Sequence, residues 1–319
     1  MPPISFEGRV AIVTGAGGGI GRTHALEIAR RGGAVVVNDL GGDVAGREGS
    51  ASMAEAVVAE ILAAGGRAVA SHDSVTTREG AEGIVATALE AFGGVDVLVN
   101  NAGNMRNAFL AELSDEDWDS LIATHLTGSF NMTRAVWPHM QARKYGRIVF
   151  TSSSSGMFGI AIQGGYAAGK AGAFGLMNVA AIEGEPHGIL CNAIMPNAFG
   201  RMAIQCMKDW GQEVRGVESM PPVVGNSMDP SYNAPLVAYL ASEACTSNRA
   251  VYSQCLGRIA RVFVGVGEGW QAQRQTPPTV EEIAAHWDEI NDLERGYTTP
   301  ASPHDELALV MQTGEVPAH

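Results

Sequence analysis

Short apolar runs, rich in valine and isoleucine, alternate along this chain with longer stretches whose apolar residues recur every three or four positions. The short runs are Arg9–Thr14, Ala34–Asp39, Arg67–His72, Val95–Asn100, Arg147–Thr151, Ile189–Met195 and Arg258–Val264. Most are continuously apolar, as expected of strands buried on both faces. The helical stretches are Ile20–Arg31, Ser52–Ala64, Arg78–Phe92, Asp115–Arg143 and Gly164–Pro186. Strand and helix in regular alternation predict an α/β fold: a single doubly wound parallel sheet with helices on both faces. Ligands of such sheets bind at the carboxyl ends of the strands.

Two segments depart from the pattern. Residues 197–229 are rich in Gly, Pro and Met with weak periodicity, and read either as a lid over a site or as a surface excursion. Beyond the last strand lies a tail with one predicted helix, Val280–Leu293, preceded by Pro277, Pro278 and Thr279 and opened by Glu281 and Glu282. Ile283, Ala284, Trp287, Ile290 and Asn291 give it a mostly apolar stripe. Fourteen residues cannot make an independent core, so the tail is expected to pack on the same body. The expected plan is one domain over 1–267 and a helical C-terminal extension over 268–319.

Composition narrows the function. A formal charge of −13 argues against nucleic acid or an anionic membrane surface as partner. No run of about 18 apolar residues is present, and the amino terminus lacks a charged segment followed by an apolar one. Cys191, Cys206, Cys245 and Cys255 show no metal-binding or redox spacing. Pro317-Ala318-His319 is not a peroxisomal address of the SKL kind. The expectation is a cytoplasmic protein with reduced thiols and no metal.

The chemistry lies at the strand ends. Thr14 to Gly21 carry glycines at Gly15, Gly19 and Gly21, with Ile20 between the last two, where a strand gives way to a helix. Glycines there let the backbone approach a pyrophosphate, which the helix amino terminus stabilises. Asp39 ends the second strand 24 residues after Gly15, followed by Leu40. Its carboxylate suits the two ribose hydroxyls of adenosine and repels a 2′-phosphate, so the expected cofactor is NAD. Tyr166 and Lys170, four apart, share a helix face, and Ser153 lies 13 residues before Tyr166. An ammonium near a phenol is expected to lower its pKa, making Tyr166 a usable base, with Ser153 positioning the substrate oxygen.

Together with Asn100-Asn101-Ala102-Gly103, these residues resemble the short-chain dehydrogenase/reductase family, in order along residues 9 to about 265. The resemblance implies a Rossmann fold. It also implies that Asp73 and Ser74 contact adenine, that Asn101, Ala102 and Gly103 line the cofactor, and that Pro196, Asn197 and Ala198 sit beside the nicotinamide. Lys170 would also hold the nicotinamide ribose. Asn38–Gly42, His125–Phe130, Arg134–Trp137, Tyr145–Ile148 and Gly267–Trp270 are similar to the (3R)-hydroxyacyl-CoA dehydrogenase units of multifunctional enzymes and their actinobacterial relatives. His125 replaces the Asn of the broader family, and reads either as part of a proton relay or as a packed core histidine. Gly164 and Gly165 precede Tyr166 where the family has Ala-Asn. By resemblance the long helices 115–143 and 164–186 form the interface of a homodimer or homotetramer.

The function expected from these residues is oxidation of a bulky, apolar secondary alcohol to a ketone. Met202, Ile204, Met207, Trp210 and Met220 favour an apolar substrate, and the only lid cations are Arg201, Lys208 and Arg215. That ordering puts a hydroxysteroid first and a (3R)-3-hydroxyacyl-CoA second. A non-catalytic dinucleotide sensor would be the reading had Tyr166 or Lys170 been lost.

Overall fold

A computed structural model describes residues 3–47, 49–211, 221–273, 275–300 and 302–312. It divides into two compact units, Met1–Arg261 and Val262–His319.

The first unit is built on an eight-stranded sheet. Its strands are Val10–Thr14 (β1), Ala34–Asn38 (β2), Arg67–Ser71 (β3), Val97–Asn100 (β4), Gly146–Thr151 (β5), Ile189–Pro196 (β6), Val251–Cys255 (β7) and Arg258–Val262 (β8). They lie in the order β3-β2-β1-β4-β5-β6-β7-β8, and β1 to β7 pair in parallel. The helices are Gly19–Arg30 (α1), Ser52–Ala63 (α2), Arg78–Phe92 (α3), Asp115–Ile122 (α4), Gly128–Arg143 (α5), Ser154–Phe158 (α6), Gly164–Gly184 (α7), Arg201–Asp209 (α8), Pro222–Ser227 (α9) and Ala234–Leu240 (α10). Every residue of β1, β2, β4 and β5 is buried, which is why their sequences are apolar throughout rather than alternating. The strand order reverses between β1 and β4, and the crevice at their carboxyl ends is where such folds take ligands. At the opposite ends Asp96, fully buried, accepts the Val10 N–H at 2.9 Å and pairs with Arg9 and Arg143, each at 3.3 Å. That pins β1 to β4 away from the site.

Three sequence expectations change. The final parallel strand is β7, which the apolar pattern missed because Ser253 and Gln254 interrupt it. The predicted last strand, β8, follows it after Leu256 and Gly257, with φ of 51° and 81°. Two consecutive left-handed residues make the tight hairpin turn, so β8 returns antiparallel at the sheet edge. The helix expected over Asp115–Arg143 is broken by a π turn at Ala123–Thr127. Residues 197–229 hold α8 and α9 rather than an irregular excursion; Arg215 and Met220 lie outside the described residues.

In the second unit Val266–Gly267 (β9) pairs antiparallel with Tyr297–Thr298 (β10). The single predicted tail helix is two, Val280–Ala285 (α11) and Trp287–Asn291 (α12), with Pro303–Gln312 (α13) beyond. Thr279 and Glu282 form a full capping box on α11. His286 leaves the helical region (φ −103°, ψ 11°) and stacks on Trp270 with centroids 4.2 Å apart. That side-chain contact accompanies a break that periodicity alone could not foresee.

One core residue makes a measurable demand on pH. His24 of α1 is 1% exposed and neither ring nitrogen has a partner. Burial pushes its pKa down to about 3, so below about pH 6.5 the unfolded chain takes up a proton that the native ring refuses. Stability is fully present above that pH and falls by about 1.4 kcal/mol per unit below it. The gap in unfolding free energy between His24→Leu and the natural chain should therefore widen by about 2 kcal/mol from pH 7 to pH 5 in urea titrations. A gap independent of pH would show that His24 is protonated in the fold.

Candidate active site

β1 delivers Thr14 to the crevice, and the chain then turns through glycines into α1. Gly19 has φ of +52°, and nothing stands within 4 Å of where a Cβ would be, so the turn is open there. Gly21 is the reverse case: a Cβ would collide with the Gly15 carbonyl and the Asn101 side chain. No side chain caps the amino end of α1 at Gly18. A tight turn facing open space, followed by uncapped helix amides, is a cradle for an anion such as a pyrophosphate.

The turn is braced from β4. The Asn101 amide donates to the carbonyls of Thr14 at 2.9 Å and Gly15 at 3.1 Å, while the backbone N–H groups of Asn101 and Ala102 donate to the Thr14 hydroxyl at 3.0 and 3.1 Å. Asn101 is thus a strut of the cradle, a role the resemblance did not specify. Asp39 follows β2 at its edge, its two oxygens accepting the N–H groups of Gly17 at 2.8 Å and Gly41 at 2.6 Å. Asn38 donates to the Asp73 carbonyl at 2.9 Å, placing Asp73 and Ser74 beside the end of β2. Leu40 is 48% exposed. The Asn197 carbonyl, just past β6, accepts from Asn233 at 3.1 Å, and the Phe199 N–H, after Ala198, donates to the Met228 carbonyl at 2.8 Å. The loop after Pro196 is thereby anchored at both ends.

The reacting groups gather beyond β5. Ser153 caps α6, its hydroxyl accepting the Ser155 N–H at 3.1 Å. Tyr166 stands in the first turn of α7 and Lys170 one turn later. Buried Lys170 donates to the Thr151 carbonyl at 2.7 Å, with its nitrogen 5.7 Å from the Tyr166 ring centre. Burial pushes the lysine down to about 7. Burial also raises the Tyr166 phenol above its ordinary value, opposed by a hydrogen bond with Ser153. This corrects the expectation that Lys170 lowers the phenol: desolvation outweighs every other influence, and the lysine, itself desolvated, binds the end of β5.

His125 sits in the π turn, fully buried. Its Nε2 faces the backbone of Asn104, 2.8 Å from the carbonyl and 3.3 Å from the N–H, and Nδ1 has no partner among the described residues. The ring meets that of Tyr166 edge to face, centroids 4.9 Å apart. Burial and the charge of Lys170 hold His125 far below the usual imidazole value. It is neutral, and it orders Asn104 and Tyr166 by contact. A π turn displaces one residue from the helical period, which is how a helix turns such a side chain inward.

Above these groups lies α8. Gln163 donates to the Cys206 sulfur at 3.0 Å, and Asn107 donates to Asp209 at 2.7 Å. Met202, Ile204 and Met207 are half-buried. Sequence reasoning missed Asn104, Asn107, Gln163 and Cys206, none of which belongs to a recognisable spacing. Among the described residues no cluster of His, Cys, Asp or Glu could hold a metal ion, and no helix is long and apolar enough to cross a membrane.

Residues 9–206 match the short chain dehydrogenase family model. The chain is 43% identical to mouse peroxisomal multifunctional enzyme type 2 over 91% of its own length, spanning 38% of that longer protein. It is 37% identical to the hydroxyacyl-CoA dehydrogenase ChsB1 of Mycobacterium tuberculosis, covering 95% of this chain and 92% of that one. The crystal structure of a short chain dehydrogenase from Mycobacterium avium superposes with a TM-score of 0.75 at 38% identity, over 90% of this chain and 97% of that one. An open glycine cradle, a half-buried tyrosine beside a buried lysine and a parallel sheet that presents both at one edge thus go with a match over most of the chain. The protein belongs to the short chain dehydrogenase family, oxidoreductases of CH–OH groups that work with a nicotinamide dinucleotide.

Proposed function

We propose that this protein is an NAD-dependent 3-hydroxyacyl-CoA dehydrogenase. The observation that carries the chemistry is the junction of β5 and α7, where Ser153, Tyr166 and Lys170 converge below α8. A nicotinamide dinucleotide held by the glycine cradle and Asp39 supplies the hydride acceptor. Tyr166 takes the proton from the substrate hydroxyl, Ser153 holds the same oxygen, and Lys170 fixes the floor of the pocket through Thr151. His125 keeps the tyrosine ring in place from its edge.

The thioester is preferred over the hydroxysteroid, reversing the order drawn from the lid composition. Similarity to ChsB1, named a hydroxyacyl-CoA dehydrogenase, extends over nearly the whole of both chains, whereas the scarcity of lid cations is a weak negative. Exposed Val179 and Ile182 on α7 support the proposed homo-oligomer, and the location proposed is the cytoplasm.

NADH formation with (3R)- and (3S)-3-hydroxyacyl-CoA thioesters, a steroid side-chain CoA thioester, estradiol and testosterone tests the reading. A (3R)-3-hydroxyacyl-CoA should exceed the free steroids in kcat/KM by at least about tenfold, some 1.4 kcal/mol in transition-state binding. A preference for free hydroxysteroids would restore the other substrate. NADH binding without turnover on any alcohol would make the protein a sensor.

A further inference from the structure

We infer that Arg106, in the loop after β4, is a positioning residue for Tyr166: it seats α4, and with it the tyrosine, on the loop that follows Asp39. The inference rests on the reading of Tyr166 as the acid–base group and adds a residue that acts through others.

The Arg106 side chain is only 10% exposed. Its Nε donates to the Ala45 carbonyl at 3.0 Å, and Nη1 donates to Asp117 at 2.9 Å and to Glu116 at 3.3 Å. Glu116 is 83% exposed, so that contact contributes little in water. Asp117 stands in the first turn of α4, and the hydrogen bond from Arg106 holds its carboxyl below the ordinary value. A guanidinium is planar, and its donors leave in fixed directions. One group held at Nε by a loop and at Nη1 by a helix fixes the distance between them. The backbone adds a parallel tie, the Met105 N–H donating to the Val44 carbonyl at 2.8 Å.

On one side of this clamp is the cofactor site. Residues 41–47 start from Asp39, which accepts the Gly41 N–H. They are folded on themselves by Asp43 and Arg47: the Asp43 N–H donates to the Arg47 carbonyl at 2.7 Å, and the Asp43 carboxylate accepts the Arg47 N–H at 2.8 Å. On the other side is the tyrosine. α4 runs into the π turn, and the two pack on α7 before and after Tyr166. A Cβ on Gly165 would meet Leu121 at 2.8 Å, and one on Gly169 would meet His125 at 2.9 Å. With no slack at either glycine, a shift of α4 is passed to the helix that carries the tyrosine. Asn104 works alongside, its side chain donating to Ser120 of α4 at 2.9 Å and its backbone facing His125. Losing the guanidinium would leave Asp117 and the Ala45 carbonyl without their shared donor and let α4 move. Proton transfer tolerates little such displacement.

Kinetics in two backgrounds test this. NADH formation is followed under single turnover, with whichever of the thioesters and steroids above the natural chain oxidises fastest. The variants are Arg106→Met, Arg106→Lys and Asp117→Asn, each alone and combined with Tyr166→Phe. NADH affinity and melting temperature are measured on the same proteins. Arg106→Met should lower the oxidation rate by about 10- to 100-fold, the scale of a displaced catalytic group. Its NADH affinity should change by less than about threefold. Arg106→Lys and Asp117→Asn should fall between, because each keeps part of the clamp. In the Tyr166→Phe background all three should slow the residual rate by less than about twofold, since a residue that acts through the phenol has nothing left to act on. An equal loss in both backgrounds overturns the inference. So does an Arg106→Met rate within about threefold of the natural one. Should Arg106→Met fail to fold, Asp117→Asn makes the same comparison. If Tyr166→Phe itself keeps the natural rate, the base assignment fails and the inference goes with it.

Discussion

Tyr166→Phe should lower turnover by about 10²–10⁴-fold while NADH binding is retained. The substitution removes one oxygen and leaves the ring, whose edge contact with His125 and packing beside Lys170 persist. Only proton transfer is lost. Lys170→Ala should damage both turnover and NADH binding, since by family resemblance it also holds the nicotinamide ribose. The state of the phenol adds a pH signature. Burial raises the Tyr166 pKa in the cofactor-free protein, so the phenolate is the minor form at neutral pH, and its fraction rises tenfold per unit as pH climbs toward that pKa. Alcohol oxidation should rise with pH between about 6 and 8, and ketone reduction, which needs the protonated phenol, should not. Steady-state rates across that range decide it. A variant that keeps more than about a tenth of the natural rate, or a flat oxidation profile, assigns the base to another group.

The second large effect concerns cofactor choice. NAD should be preferred over NADP by at least about tenfold in kcat/KM, equivalent to 1.4 kcal/mol. Asp39 cannot swing clear of a 2′-phosphate, because each oxygen is held by a backbone N–H, from Gly17 and Gly41. Two like charges 4 Å apart near a protein surface repel by about 4 kcal/mol, more than the predicted preference requires. Leu40, adjacent and half exposed, offers a place for a compensating cation. Asp39→Ala with Leu40→Arg should shift the preference toward NADP. Equal efficiencies for the two cofactors in the natural chain would remove Asp39 from the adenosine ribose.

The parallel core was legible because its strands are buried on both faces, a condition that writes itself as valine and isoleucine runs such as Val35–Val37. Ser153, Tyr166 and Lys170 were legible as a spacing, and Asp39 as the end of a strand. Their energetics were not. The phenol was expected to feel Lys170 first, yet the depth of the pocket dominates, and depth is a property of everything packed above it. The hairpin of β7 and β8 was hidden by polar Ser253 and Gln254 in a strand that needs no continuous apolar face so near the edge. Asn107 and Asp209, 102 residues apart, meet only because the fold closes. Arg201 counted in the sequence as one of three sparse lid cations; its place over Gly18 depends on where α8 lies.

The π turn at Ala123–Thr127 makes this active site sensitive to chain length in a way that substitutions cannot reveal. One residue advances an α-helix by about 100°. Deleting a single position there would remove the extra residue of the wide turn, let α4 run straight into α5 and draw the side chains of that turn back onto the α-helical period. His125 would leave Tyr166 although no contacting side chain had been changed. Replacing the residues around His125 in turn would report a tolerant segment, whereas removing any one of the five would report an essential one. The geometry around the tyrosine is stored in a count of residues as much as in their identities.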